Sequence, residues 1–269
     1  MKKIVFFAII FILILVGCSR VPFTNRRQAK LLPEATMNSM SFTQYDAFLK
    51  ENKISTNKQQ VDMVKRVGLR VQKAAETYYK ANGLEKKLEN FQWEFNLIQN
   101  DSTVNAWCMP GGKVVVYSGI MPIAKDENGL AVVMGHEIAH ALANHGNERM
   151  TQQLAVQAGG VAIDVLMRDK PAETRNIFLQ AYGAGATVGA LLPFSRKHES
   201  EADHIGLYLM AIAGYDVYAA SPFWDRMAAG GGQAPPEFMS THPSPETRAA
   251  NLKAWAPEAI ELAKKYKGK

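Results

Sequence analysis

The sequence predicts a mostly helical α+β protein, with a small, mainly antiparallel sheet beside one helix of unusual composition. Three observations support this prediction. Apolar residues recur at helical spacing over residues 56–82, apolar and polar residues alternate over residues 91–98, and a proline-free apolar run over residues 130–145 carries three histidines and a glutamate. Polar groups at this density on an apolar helix are costly to bury unless a metal ion or hydrogen bonds satisfy them.

The first residues have the composition of a secretory signal. Residues 1–17 combine a basic start with an apolar run too short for a comfortable membrane span, and Cys18 follows directly. A cysteine after small residues resembles the bacterial lipobox, in which the cysteine is diacylated and becomes the mature N terminus. An uncleaved N-terminal anchor helix is the alternative. We expect a protein of the bacterial cell envelope that binds a membrane through its N-terminal lipid, at the outer membrane facing the periplasm.

Residues 18–36 are polar, basic and interrupted by proline, and we expect a tether with a short docking piece. The cations of this stretch, which either attract anionic headgroups or belong to a solvated linker, are Arg20, Arg26, Arg27 and Lys30. The folded domain is expected to span residues 37–269.

Charge and cysteine content exclude two classes of protein. The formal net charge of +6 comes without the long basic blocks of a nucleic-acid-binding protein, so no nucleic acid is expected as a partner. Beyond Cys18 the chain has one further cysteine, Cys108, and cannot form an internal disulfide framework. We interpret Cys108 as a small apolar filler.

The chain before the histidine-rich helix predicts two helices followed by strands. The helices are expected over residues 37–52 and 56–82, and the strands over residues 91–98, 104–109 and 113–118. Pro110-Gly111-Gly112 is a strong turn signal between the last two strands. The exposed edge of such a sheet, near Asn105 and the 113–118 strand, is where an extended peptide can add as another strand.

The chain after the histidine-rich helix is also predicted to be mainly helical. Helices are expected over residues 153–167, 174–192 and 195–213, and a last one opens at residues 241–248. A glycine run at residues 230–232 precedes that last helix. Charges or glycines interrupt the apolar 151–193 stretch, so no membrane span of about 18 apolar residues is predicted there.

The histidine-rich helix carries an H-E-x-x-H pattern with metal-ligand spacing. His136 and His140 lie about 40° apart on one helix face, so both imidazoles can reach one ion. Glu137 lies about 100° round from His136, where it can hold a water on that ion without being a ligand. A catalytic zinc normally has three protein ligands. Glu199 with Asp203 is the best supplier of the third, because residues at i and i+4 can serve as ligand and as orienting partner.

Other residues near Glu199 leave alternatives open. His198 and His204 are also candidates for the third ligand, although a second histidine pair would duplicate the first. Glu201 is expected on the opposite side of its helix, as a surface residue or a second-shell residue. A solvated, charge-rich helix face is the remaining interpretation of this cluster.

These motifs together resemble one known family. The chain is similar to the HtpX, Oma and CAAX-prenyl-protease family of gluzincin endopeptidases, peptidase family M48, and within it to the small bacterial lipoprotein branch near BepA and LoiP. The motifs that carry the resemblance are Asn105-Ala106 before Pro110-Gly111-Gly112, His136 to His140, Ser195 to Asp203, and Thr241-His242-Pro243 with Arg248. Members of the BepA branch carry a repeat domain after the protease, which we do not expect in this chain, so the role of that domain is not carried over.

The resemblance implies a zincin fold and a set of site residues. One zinc ion per chain is expected on His136, His140 and Glu199, with Glu137 as catalytic base. It also places His242 near the zinc, where the imidazole could donate to the developing oxyanion or occupy the fourth zinc position at rest. A purely structural histidine at a helix N terminus is the alternative for His242.

The function expected from these features is cleavage of polypeptides outside the cytoplasmic membrane. We expect a lipid-anchored zinc endopeptidase that hydrolyses extended or misfolded proteins in envelope quality control, with substrate bound at Asn105 and Ala106. The alternative is a holdase-like module that binds clients and has weak or gated proteolysis, with the apolar 151–193 stretch covering the cleft or contacting clients. The oligomeric state is left open.

Overall fold

The computed structural model describes residues 18–187, 191–229 and 244–266, and helices make up most of this part of the chain. The helices are α1 (Glu34–Glu51), α2 (Lys58–Ala81), α3 (Met121–Ala124), α4 (Glu127–Leu142), α5 (His145–Leu166), α6 (Ala172–Ala186), α7 (Leu192–Ile212), α8 (Ala220–Ala229) and α9 (Pro245–Lys264). The strands are β1 (Cys18–Arg20), β2 (Arg27–Ala29), β3 (Glu94–Ile98), β4 (Ala106–Met109) and β5 (Lys113–Tyr117). The prediction of a mostly helical α+β architecture is confirmed.

The sheet beside the histidine-rich helix has three strands in the order β3-β5-β4. Strands β4 and β5 form an antiparallel hairpin, whose turn uses positive φ angles at Gly111 and Gly112. Strand β3 pairs with β5 in parallel. The prediction of a mainly antiparallel sheet is therefore wrong for one of the two strand pairs. The chain from β3 crosses to the far side of the sheet before β4 begins, and β5 returns between them.

The core lies where α4 is covered by α2, α7 and the sheet. Val64, Val67 and Val71 of α2 are fully buried, as are Val114 and Val116 of β5. Helix α2 follows its predicted span, and the side chain of Asn57 accepts a hydrogen bond from the Gln60 N–H at its start. Burial of these apolar side chains stabilises the arrangement that holds α4 in the interior.

Helices α4 and α7 approach each other most closely at a pair of glycines. A Cβ atom on Gly206 would lie 2.9 Å from the backbone nitrogen of His136 and 3.0 Å from the carbonyl carbon of Gly135. Backbone atoms cannot move aside as a flexible side chain can, so only glycine fits at this crossing. The close approach brings the side chains of α7 next to those of α4.

Helix α4 ends three residues earlier than the apolar run predicts. Its last residue is Leu142, and Asn144 has a left-handed conformation with φ 56°. Helix α5 then begins at His145 in a new direction. Asparagine tolerates this conformation better than most residues with a Cβ atom.

The stretch expected to be a tether is folded against the protein from its first described residues. Residues 19–33, the docking segment, include all of the β1–β2 hairpin except Cys18, and Val21 is buried. The ring of Phe23 stacks on Tyr78 with centroids 3.7 Å apart. The side-chain amide of Asn147 donates to the carbonyl oxygen of Leu32. The predicted boundaries at residues 17, 18 and 36 stay predictions, and residues 1–17 lie outside the described part.

Helices α5 and α6 form a hairpin whose residues 152–186 are nowhere fully buried. We call these residues the apolar hairpin, because several of its large side chains are more than half exposed: Val161, Val165, Leu166, Ile177 and Phe178. Its helices contact each other through the hydroxyl of Tyr182, which donates to the carbonyl of Val156, and through an Arg175–Asp164 ion pair. Among the described helices, none combines the length and the apolar character needed to cross a membrane.

Candidate metal centre

One cluster in the described chain has the donor set of a metal site. His136 and His140 of α4 and Glu199 of α7 each offer a ligand atom, and these atoms all lie within 4.8 Å of one another. The two Nε2 atoms are 3.1 Å apart. Each also lies 3.3 Å from a carboxylate oxygen of Glu199. The structure therefore brings together the three residues predicted as ligands.

The Nδ1 atom of His136 faces Asp203, one turn further along α7 from Glu199. Its distance to Asp203 Oδ1 is 2.9 Å. Arg248 of α9 donates to the same carboxylate, with Nε 2.8 Å from Oδ2, and its guanidinium stacks 3.4 Å over the ring of Trp224. This arrangement lets the carboxylate accept a hydrogen bond from Nδ1–H, which leaves the lone pair of His136 Nε2 available to a metal ion.

The Nδ1 atom of His140 faces a second histidine. His145 Nδ1 lies 2.9 Å from His140 Nδ1, and His145 Nε2 lies 3.0 Å from Glu201 Oε2. In one straight helix, His145 would lie about 140° round from His140. The break at Asn144 turns the chain so that the two imidazoles meet.

Glu137 lines a cleft of about 540 Å³ together with the three residues of the cluster. Its Oε1 is 3.9 Å from Nε2 of His136. The cleft is lined on one side by the start of β4, including Asn105, Ala106 and Cys108, and on the other by Gln152 and Gln153 at the base of the apolar hairpin. The carboxylate of Glu137 can thus face both the three-ligand cluster and a molecule bound in the cleft.

The electrostatics of the two histidines differ. Burial lowers the pKa of His140 to about 3, so its ring is neutral at pH 7. Burial and Arg248 lower the pKa of His136, but Asp203 and Glu199 together raise it by more, to about 9. A metal ion therefore competes with a proton for His136 at neutral pH. Burial raises the pKa of the Cys108 thiol, which makes it a poor nucleophile.

The sequence matches the family description "Peptidase family M48" over residues 65–256, which covers most of the chain and includes the whole three-ligand cluster. The chain belongs to peptidase family M48. The resemblance to this family, which the sequence motifs indicate, is thereby confirmed.

Named relatives within this family come from mitochondria and from bacteria. The mitochondrial metalloendopeptidase OMA1 of Schizosaccharomyces pombe is 41% identical over 174 residues, which are 64% of this chain and 49% of the relative. The OMA1 of Danio rerio is 31% identical over 250 residues, or 90% of this chain and 51% of the relative. The beta-barrel assembly-enhancing protease of Escherichia coli is 31% identical over 166 residues, which are 60% of this chain and 34% of the relative. The chain thus spans about half or less of the length of these relatives.

The other candidate residues of this M48 chain do not join the three-ligand cluster in the described structure. Glu201 is buried and contacts His145, so it is not a surface residue. His198 contacts Glu148, and His204 stacks on Trp255, so neither replaces Glu199 in the cluster. His242 lies outside the described residues.

The sheet edge differs from the predicted one. Strand β5, expected at the substrate edge, is the central strand, because β4 covers the side that faces the cleft. Strand β4 is therefore the edge next to Glu137. Asn105 and Ala106 both line the cleft beside it, and their role in substrate binding stays a prediction.

Two contributors to the M48 site were missed at the level of sequence. His145 was included in the helix without a role, although a histidine shortly after H-E-x-x-H is a signal that could have been used. Arg26 was expected to face headgroups or solvent, yet its guanidinium bonds Glu148 and Glu201 in the interior. No local pattern reveals this, because the partners lie 122 and 175 residues away along the chain.

Proposed function

We propose that this chain is a zinc-dependent endopeptidase that acts on extended polypeptide segments. The observation that carries the proposal is the three-ligand cluster with Glu137 beside it, all lining one cleft. Tetrahedral ligands at zinc bond lengths of about 2.0–2.1 Å are separated by roughly 3.3–3.4 Å. The separations of 3.1, 3.3 and 3.3 Å among His136, His140 and Glu199 fit this value. Two imidazoles and one carboxylate are also a donor set that zinc prefers.

The chemistry divides between the ion and the protein. When bound, zinc supplies a Lewis acid that lowers the pKa of water and polarises a carbonyl group. Glu137 then accepts a proton from the attacking water and passes it to the leaving amine. Asp203 and Arg248 keep His136 in the tautomer that presents Nε2 to the ion.

The shape of the cleft supports an extended substrate. Strand β4 is an edge strand, and a peptide can pair with such an edge through its main chain whatever its side chains. Asn105 and Ala106 at the start of β4 would contact the substrate there. Most segments of a folded protein are already paired within its own fold and cannot enter the cleft as an extended strand, so unfolded or misfolded chains are the substrate class we propose.

The test is the degradation of unfolded casein by the purified full chain. Removal of zinc with a chelator should abolish cleavage, and added zinc should restore it. Glu137→Gln should keep zinc and fold but lower kcat by about 100- to 10,000-fold, because an amide cannot accept the proton. Glu76→Gln, at an exposed position on α2, is the matched control and should cleave normally. Normal turnover by a zinc-loaded Glu137→Gln protein would rule out this mechanism.

We also propose that the chain is anchored in the bacterial envelope by lipid on Cys18, in a role in protein quality control. The sequence of residues 1–18 supports this proposal. Acyl chains contribute about 0.8 kcal/mol per buried methylene, so Cys18→Ala should release the protein from the membrane fraction. Fractionation with mass analysis of the N terminus measures both the anchor and its chemistry. Unchanged membrane association of Cys18→Ala would contradict the proposal.

A holdase-like function is the second candidate, favoured by the exposure of the apolar hairpin. Leu166 is 81% exposed and Ile177 is 60% exposed. Exposed apolar surface of this kind can bind unfolded clients. Glu137→Gln should then still suppress aggregation of a denatured client, and Leu166→Ser with Ile177→Ser should weaken that suppression. If suppression persists when the wild type does not cleave, binding is the main activity.

A further inference from the structure

The docking segment contributes two side chains to the interior beside the metal centre. The hydroxyl of Thr24 donates to Oε1 of Glu201, and Nε of Arg26 lies 2.6 Å from Oε2 of the same carboxylate. The other guanidinium nitrogens of Arg26 bond both oxygens of Glu148, at 2.9 and 2.7 Å. The side chains of Glu148 and Glu201 are only 5% and 6% exposed. Both oxygens of Glu201 are therefore held by residues of the docking segment.

Glu201 in turn determines how His145 presents its ring. Its Oε2 lies 3.0 Å from Nε2 of His145, which is fully buried. A carboxylate only accepts, so the proton of a neutral His145 is on Nε2 and its Nδ1 is an acceptor. That Nδ1 faces Nδ1 of His140 at 2.9 Å and accepts a hydrogen bond from its N–H, so the proton of a neutral His140 is on Nδ1. The tautomer that results leaves Nε2 of His140 with a lone pair directed at the cluster.

We propose that Arg26 is a positioning residue for metal binding, acting through Glu201 and His145 on the ligand His140. The inference rests on the proposed function, since it takes His136, His140 and Glu199 as the ligands. Seating of residues 19–33 thereby completes the metal centre. The second ligand is oriented by a chain of contacts that begins near Cys18, whereas His136 is oriented by Asp203 from within the helical core.

Burying these charged groups costs desolvation free energy, so we infer that the network orients His145 and does not mainly stabilise the fold. Desolvation of a buried ion pair often offsets its Coulomb attraction, so such pairs contribute little net stability. The fork of a guanidinium can hold two carboxylates in fixed directions, which an ammonium group cannot do. Partners of this kind, one step behind a ligand, typically change metal affinity by about 10- to 100-fold when removed.

The experiment compares Arg26→Gln with Arg27→Gln in the purified full chain. Arg27 is the neighbouring residue with the same charge, but it is exposed. Zinc affinity is measured by competition with a chromophoric chelator, and the ligand geometry by the visible absorption spectrum of the cobalt-substituted protein. We expect Arg26→Gln to bind zinc about 10- to 100-fold more weakly with an altered cobalt spectrum, and Arg27→Gln to match the wild type. Glu201→Gln should add little to the effect of Arg26→Gln, because both act through one chain of contacts.

A folded Arg26→Gln protein with wild-type zinc affinity and cobalt spectrum would overturn the inference, and so would an equal loss in Arg27→Gln. If Arg26→Gln does not fold, Arg26→Lys keeps the charge without the fork and decides the question. A weaker zinc affinity in folded Arg26→Lys supports the positioning role, and wild-type binding overturns it.

These measurements separate the inference from the proposed protease activity. Metal affinity and the cobalt spectrum need no substrate, so they can respond to Arg26 even if casein is not cleaved. If the wild type cleaves casein while Arg26→Gln leaves zinc binding unchanged, only the inference fails. In an active protein, Arg26→Gln at saturating zinc should lower kcat and leave KM within about twofold, because Arg26 does not line the cleft.

Discussion

The α4–α7 crossing and the apolar hairpin both depart from the usual distribution of polar and apolar side chains. The crossing buries polar groups, and the hairpin exposes apolar ones. At the crossing, the buried groups include the carboxylates of Glu199 and Asp203, which face His136 and Arg248. In the hairpin, apolar residues such as Leu166 lie in solvent. Both the burial of polar groups and the exposure of apolar groups are unfavourable in free energy, so we infer a separate function for each region: metal binding at the crossing and client binding at the hairpin.

The comparison predicts where substitutions will change stability and metal binding. The crossing is closely packed around a rigid backbone contact, so changes there alter geometry and metal binding together. The hairpin has no fully buried residue, so changes there leave the fold intact and test only its surface. The same substitution made in both regions therefore has different results.

Loss of a metal ligand should give the largest difference between the two regions. Glu199→Gln removes the carboxylate that both ligand histidines face, and we expect zinc affinity to fall by at least about 100-fold. Glu173→Gln, at an exposed position in the hairpin, should leave zinc affinity unchanged. Chelator competition measures both. Retained zinc in Glu199→Gln would remove this residue from the ligand set.

Truncation of one leucine in each region measures packing. Leu209 of α7 is fully buried, and Leu209→Ala should lower the free energy of unfolding by about 2–5 kcal/mol. Leu166→Ala in the hairpin, at 81% exposure, should change it by less than about 0.5 kcal/mol. Urea denaturation followed by circular dichroism gives both values. Equal losses would show that the hairpin is packed against something in solution.

A single methyl group added to glycine tests the close approach of the helices. The Cβ of Gly206→Ala would lie within 3.1 Å of three backbone atoms of α4, and we expect a loss of about 2–3 kcal/mol together with weaker zinc binding. Gly185→Ala in α6 has open space around its Cβ position and should be neutral or stabilising by up to about 1 kcal/mol. A stable Gly206→Ala protein with normal zinc affinity would contradict the tight crossing.

The pH dependence of stability should report on the buried carboxylate of Glu148. Burial opposes its ionisation, but contacts with His198 and Arg26 lower its pKa from 4.5 to about 2. A carboxyl whose pKa is lower in the folded state stabilises the fold above its unfolded pKa, and this contribution is lost as pH falls from 4.5 towards 2. Between pH 4.5 and pH 2, the free energy of unfolding of Glu148→Gln should fall by about 1–2 kcal/mol less than that of the wild type, as measured by urea denaturation. Glu173→Gln should follow the wild type, and a parallel curve for Glu148→Gln would refute the assignment.

Local patterns in the sequence predict much of the fold and most of the cluster. Helix α2 follows from its apolar spacing, and the β4–β5 turn follows from Gly111 and Gly112. His136, His140, Glu199 and Asp203 are found by i, i+4 spacing, because that spacing alone places two side chains on one helix face.

Features set by distant contacts could not be predicted in the same way. The pairing of β3 with β5 depends on the path of the chain, which alternation does not encode. The end of α4 has only a weak signal, because the residue in the left-handed position after the cap is Asn144 and not the more usual glycine. The contact of His145 with Glu201 at this bend joins two separate helices.

The left-handed residue Asn144 limits how the site could be transferred to another protein. A designer who grafts a straight helix with the five-residue H-E-x-x-H pattern would reproduce His136, Glu137 and His140 but not the imidazole that faces His140 from behind. The transferable unit is ten residues long, from His136 to His145, and it includes the bend at φ 56°. A scaffold for this centre must therefore accept a change of chain direction within one helical turn of the second ligand.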